Sequence, residues 1–156
     1  MFWEIPVLMA LHLIAAVVWI GGMFLAYTCL RPAAGALEPS VRGPLWHGVL
    51  RRFLAAVWVA VVVLPASGYR MSALRFGGLA DAPAYVHAMQ AIGWVMIALF
   101  VYLYFGPYRR LGRAVADGST GAAGAALGRI RRVVQINLGL GMALLVVVAA
   151  GRFFAF

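Results

Sequence analysis

Residues 5 to 30, I-P-V-L-M-A-L-H-L-I-A-A-V-V-W-I-G-G-M-F-L-A-Y-T-C-L, contain no formally charged side chain. At about 1.5 Å of rise per residue, a helix of this length crosses a hydrocarbon layer of about 30 Å. The run therefore predicts a membrane-spanning helix. Inside it sits His12, and an ionisable, metal-binding side chain at membrane depth marks a candidate functional site. With about 100° of rotation per residue, Ile5, Met9, His12, Ala16, Trp19 and Met23 fall on one stripe, with Gly22 at its margin.

Three further apolar runs follow, and at 65% hydrophobic content the chain exceeds the roughly half-apolar make-up of soluble domains. Helices are predicted over residues 5–30, 45–69, 84–105 and 129–152. Arg31-Pro32 closes the first, and Gly106-Pro107 stops the third. The intervening stretches are rich in Gly, Pro, Ala and Ser; the segment 108–128 reads as a flexible connection. No stretch is polar and long enough to fold separately in water, so residues 1–156 are expected to form one transmembrane domain. The fold class is all-α, an integral membrane four-helix bundle. Phe2 and Trp3 suit a headgroup belt, and Gly139 and Gly141 would permit close helix approach.

The net charge of +9 comes from thirteen arginines and no lysine, opposed by Glu4, Glu38, Asp81 and Asp117. The arginines flank apolar runs, where they meet phospholipid headgroups, so the lipid bilayer and not nucleic acid is the expected partner. Arg31, Arg42, Arg51 and Arg52 precede the second run, and Arg109, Arg110, Arg113, Arg129, Arg131 and Arg132 precede the fourth. Only Arg70, Arg75 and Arg152 oppose them. The positive-inside rule places both termini outside the cytoplasm. His12 and His87 then share the outer side, whereas His47 lies toward the cytoplasm as an interfacial residue. The N-terminus lacks the cationic segment of a signal peptide, so the first run is expected to stay in the mature protein. The lone Cys29 excludes an intramolecular disulfide. No nucleophile triad, phosphate loop, carboxylate pair or H-E-x-x-H occurs, which leaves hydrolysis and nucleotide-driven mechanisms without support.

His12-x6-Trp19 in the first helix is matched by His87-x6-Trp94 in the third. The match admits two parallel helix hairpins with His12 facing His87. Two chemistries fit that pair. Imidazole and thioether ligands suit copper, with His12, His87 and Met9 as ligands, and the scarcity of carboxylates counts against Mg, Ca or Mn. Met89 lies about 160° from His87 around a regular helix, so the two cannot both point inward. Alternatively, His12 and His87 are axial ligands of haem b, with Trp19 and Trp94 as walls and Arg70 or Arg75 at the propionates. In that case the protein is a haem-dependent membrane oxidoreductase; otherwise it is not expected to be an enzyme. A third reading is a cofactor-free subunit in which His12 bonds a neighbouring helix. A homodimer, another membrane subunit, or a periplasmic metal or electron donor are the partners these readings admit.

The run L-H-L-I-A-A-V-V-W-I-G-G-M-F, residues 11 to 24, resembles the first helix of the CopD-like (copper resistance protein D) membrane family. L-W-H-G-V-L-R-R-F, Gly68-Tyr69, Y-V-H-A-M-Q-A-I-G-W-V-M and R-I-R-R-V-V-Q-I-N-L-G resemble its short, four-helix members. The resemblance implies copper handling or uptake at a bacterial inner membrane, carried over to His12 and His87. A more distant likeness, through His12, Trp19, Gly22 and Asn137, is to the HemJ-type protoporphyrinogen oxidases, and it implies haem b. The lysine expected near the third helix of that family has no counterpart here.

Overall fold

A computed structural model describes residues 3–154, with side-chain detail to residue 151. Met1 and Phe2, and the side chain of Arg152, lie outside the described residues. Four long helices are present: α1 (Glu4–Gly35), α2 (Pro39–Phe76), α3 (Ala84–Ala116) and α4 (Thr120–Phe154). Each contains a stretch long and apolar enough to cross a membrane. Among the described residues there is no strand. Helix α1 packs along α2 and α3 along α4, while α4 also touches α1 and α2. Helices α2 and α3 meet closely over residues 104–116. The start of α1, the described end of α4 and the 77–83 connection share one end of the bundle, here the terminal end; the two short connections lie at the other, arginine-rich end.

The helices run past the limits that the prolines suggested. Pro32 does not end α1: a π-helical turn over Ala26–Leu30 lies one residue ahead of it, and the helix continues to Gly35. Pro107 lies inside a similar turn, Tyr104–Tyr108, and α3 continues to Ala116. A π turn widens the helix locally, where a proline ring would otherwise press on the preceding carbonyl. The alanine- and glycine-rich segment before Arg129 is helix, not a flexible connection. Ala123 and Ala126 are buried in it, and a Cβ added at Gly43 of α2 would stand 3.4 Å from Ala123. Tertiary contact thus reinforces the alanine preference for helix. Helix α2 stops at Gly77, whose φ of 78° is the left-handed conformation suited to glycine.

Arg42 joins α1 to α2. Its guanidinium donates from Nε to Ala34 O (3.2 Å) and from Nη2 to Gly35 O (2.8 Å) and Leu37 O (2.7 Å). Gly35 O ends α1, Leu37 O belongs to the connection that follows, and Ala34 O also accepts from the Leu37 N–H at 3.3 Å. The guanidinium carbons of Arg31 and Arg109 lie over the rings of Tyr27 and Phe105, each 5.0 Å from the ring centre.

The core is built by Trp19, Met23, Leu54, Val57, Met96, Phe100, Leu103 and Leu111. Within it Phe100 takes the edges of Trp19 and Trp58 at 6.0 and 5.0 Å. The matched spacing of the first and third helices does not produce matched environments: Trp19 is 3% exposed and Trp94 51%. The two glycines of α4 also differ. A Cβ at Gly141 would meet Ile20 at 3.1 Å and the Met96 methyl at 3.3 Å, whereas Gly139 faces open space. Only Gly141 therefore supports close approach. Gly141→Val is expected to cost about 1–3 kcal/mol through overpacking, while Gly139→Ala should be neutral or stabilising by up to about 1 kcal/mol. Thermal unfolding in detergent separates the two.

Candidate functional site

His12 lies two turns into α1 and is half-buried against α2. Its Nδ1 is 2.9 Å from Ser67 Oγ. The Ser67 hydroxyl in turn lies 2.6 Å from Val63 O, four residues back. A carbonyl oxygen only accepts, so Ser67 donates its single proton there, a back-bond common for serine in membrane helices. Ser67 must then accept from His12, which places the imidazole proton on Nδ1. Nε2 keeps its lone pair for a ligand. The ring packs on the α2 backbone at Gly68, where a Cβ would be 3.4 Å from Cε1.

The imidazole forms part of the wall of a cavity of about 130 Å³. Trp19 from α1, Tyr69 from α2, and Met89, Gln90, Trp94 and Met96 from α3 line the same space. Tyr69 Oη accepts from Gln90 Nε2 (2.6 Å) and from Trp94 Nε1 (3.0 Å). These bonds link α2 to α3 in the terminal half of the bundle. Below Met96, Asn137 is 3% exposed and donates from Nδ2 to Met96 O at 3.3 Å. Because the acceptor is a carbonyl, the amide cannot be flipped, and Oδ1 is the atom left without a partner.

The sequence-predicted residues divide into two groups. His12, Trp19 and Trp94 meet at the cavity. His87, Met9, Arg70 and Arg75 do not line it. His87 is exposed on α3, because the inward stripe of that helix is Val86, Met89, Gln90, Gly93, Trp94 and Ile97. Of His87 and Met89, which cannot both point inward, Met89 lines the cavity and His87 does not. Met9 is half-buried. Arg70 pairs with Glu4 through Nη2 and Nε, both 2.7 Å from Oε1; at this exposure the pair contributes at most about 1 kcal/mol. Arg75 is exposed in the last turn of α2. His47 is packed rather than solvated: it stacks on Tyr108, 5.4 Å between ring centres at 17°, at the arginine-rich end.

Sequence reading passed over Ser67, Tyr69 and Gln90 as site residues. The signal for Ser67 was a hydroxyl in the apolar run of α2 at the depth of His12, and it pointed to a partner only once α1 and α2 were known to be neighbours. Among the described residues no three His, Cys, Asp or Glu side chains cluster to hold a metal. With one of its two expected axial ligands outside the cavity, a bis-histidine haem has no support in this geometry. Tyr69→Phe removes the acceptor of two bonds and is expected to lower stability by about 1–3 kcal/mol. It should also shift the tryptophan emission of detergent-solubilised protein through the unpaired Trp94 indole.

Compared with known proteins, residues 47–151 match the family model described as copper resistance protein D. The match begins at His47 in α2 and takes in α3 and the membrane-crossing part of α4; α1 with His12 lies before it. No curated protein and no solved structure matches the chain.

Proposed function

The chain belongs to the copper resistance protein D family, and from that premise we propose that this multi-pass membrane protein binds Cu(I) in the cavity at its terminal end, in copper uptake or homeostasis. The observation that carries the reading is His12, whose Nδ1 is engaged by Ser67 at 2.9 Å and whose Nε2 remains as a ligand atom beside a cavity also lined by Met89. Imidazole nitrogen and thioether sulfur form a soft donor set suited to Cu(I). The Ser67 bond fixes the tautomer and the ring orientation, the role that outer partners play for metal-ligating histidines. Met96, seven residues after Met89 and so two turns deeper on α3, supplies a second thioether at the cavity floor.

Copper is here a cargo, and the chain's part is to strip water from it and hold it at membrane depth. The arginine distribution supports a terminal end facing away from the cytoplasm, and on this reading, at a bacterial inner membrane, copper enters from the periplasmic side. His87 and Met9 are assigned no ligand role. The family match does not include α1, and His12 rests on the geometry alone.

Titration of the detergent-purified protein with Cu(I) against a chromophoric chelator tests the assignment. One Cu(I) per chain is expected. His12→Ala should weaken binding far more than tenfold, and Ser67→Ala about 10–100-fold as an outer-partner substitution. Met89→Leu should weaken it, and His87→Ala should leave it unchanged. Wild-type affinity in His12→Ala would sink the site. A Soret band in the purified protein that His12→Ala abolishes would replace copper by haem.

A further inference from the structure

Helix α4 presents a cationic recess on its outward face at the arginine-rich end, away from the cavity. Arg129, Arg131, Arg132 and Gln135 are exposed around a depression that Ala125 and Gly128 complete. At about 100° per residue, these six positions fall within about 160° of arc on one side of the helix. The same side continues toward the middle of the span as Ile136, Gly139, Met142 and Val146, all exposed. A Cβ at Gly139 would meet nothing within 4 Å, so this strip is open along its length.

Of the other arginines at this end, Arg42 is engaged on carbonyls at the end of α1 and Arg31 and Arg109 on aromatic rings, while Arg51, Arg52, Arg110 and Arg113 are exposed and do not line this recess. Arg129, Arg131 and Arg132 have no carboxylate, carbonyl or ring partner among the described residues. Guanidinium groups at headgroup depth match a phosphodiester in charge and fork geometry. An open apolar strip directly above them matches an acyl chain. A second copy of α4 on this face would oppose arginine to arginine.

We propose that this face of α4 is a binding site for one anionic phospholipid. Arg129 and Arg132 hold the phosphate, Gln135 takes a headgroup hydroxyl, and an acyl chain lies along Ile136, Met142 and Val146. The inference is independent of the copper reading and goes beyond general contact with the bilayer.

Native mass spectrometry of the full chain released from detergent tests it, with phosphatidylglycerol or phosphatidylcholine of identical chains added. Retention of one phosphatidylglycerol in preference to phosphatidylcholine is expected, with the preference reduced about tenfold or more in R129A/R132A. R51A/R52A removes the same charge from α2 and should keep the preference. Equal retention of the two lipids by the wild-type protein would overturn the site without recourse to any variant. So would an equal loss in R51A/R52A, which would mean diffuse attraction, or displacement of the lipid by millimolar inorganic phosphate, which would mean a free-anion site.

Discussion

A polar group within the hydrocarbon layer finds no water, so each one must bond to the protein itself. That constraint organises the terminal half of the bundle. His12 is tied to Ser67 and Ser67 to Val63, Tyr69 receives Gln90 and Trp94, and Asn137 reaches across to Met96. All but the Ser67–Val63 bond cross between helices, and the Arg70–Glu4 ion pair adds a further polar link from α2 to α1. In a membrane, where lipid tails are as apolar as leucine, such polar links and close small-residue contacts do much of what the hydrophobic effect does in water.

The same constraint gives the cavity its chemistry. Among the described residues, the polar atoms around it without a partner include the Nε2 lone pair of His12, the thioethers of Met89 and Met96, the Ser72 hydroxyl and, beneath, the amide oxygen of Asn137. On the proposed Cu(I) reading, soft or neutral donors in an apolar chamber are the set that favours a soft monovalent cation over hard, strongly hydrated ones. Most of the arginines, by contrast, stand at the opposite end, where Arg42 binds carbonyls at the end of α1 and Arg31 and Arg109 lie over aromatic rings.

The apparent internal repeat shows how little a shared spacing decides. His12-x6-Trp19 and His87-x6-Trp94 have the same separation and the same helical phase. Yet α1 turns both its residues toward the bundle, while α3 is rotated so that Met89, Gln90 and the edge of Trp94 face inward and His87 faces out. Helix α3 has a long apolar sequence on all sides, and nothing local distinguishes which side will pack. The rotation follows from fitting Met96, Phe100 and Leu103 into the common core.

The sequence by itself determined the number of spanning helices, their antiparallel order and the end at which arginine accumulates, because bilayer thickness and the cost of burying charge act on local composition and need no tertiary information. It also singled out His12, since an ionisable group in an uncharged run is conspicuous wherever the run packs. Only the tertiary structure decided what His12 faces. Ser67 became its partner, Met89 replaced His87 beside it, and Arg70 was drawn to Glu4. It also decided that Pro32 and Pro107 are passed through and that Gly141, not Gly139, is a contact point. These outcomes depend on the rotation of each helix about its own axis and on which helix lies beside which. In uniformly apolar segments no amphipathic stripe records that rotation, so it is set by side-chain packing between helices.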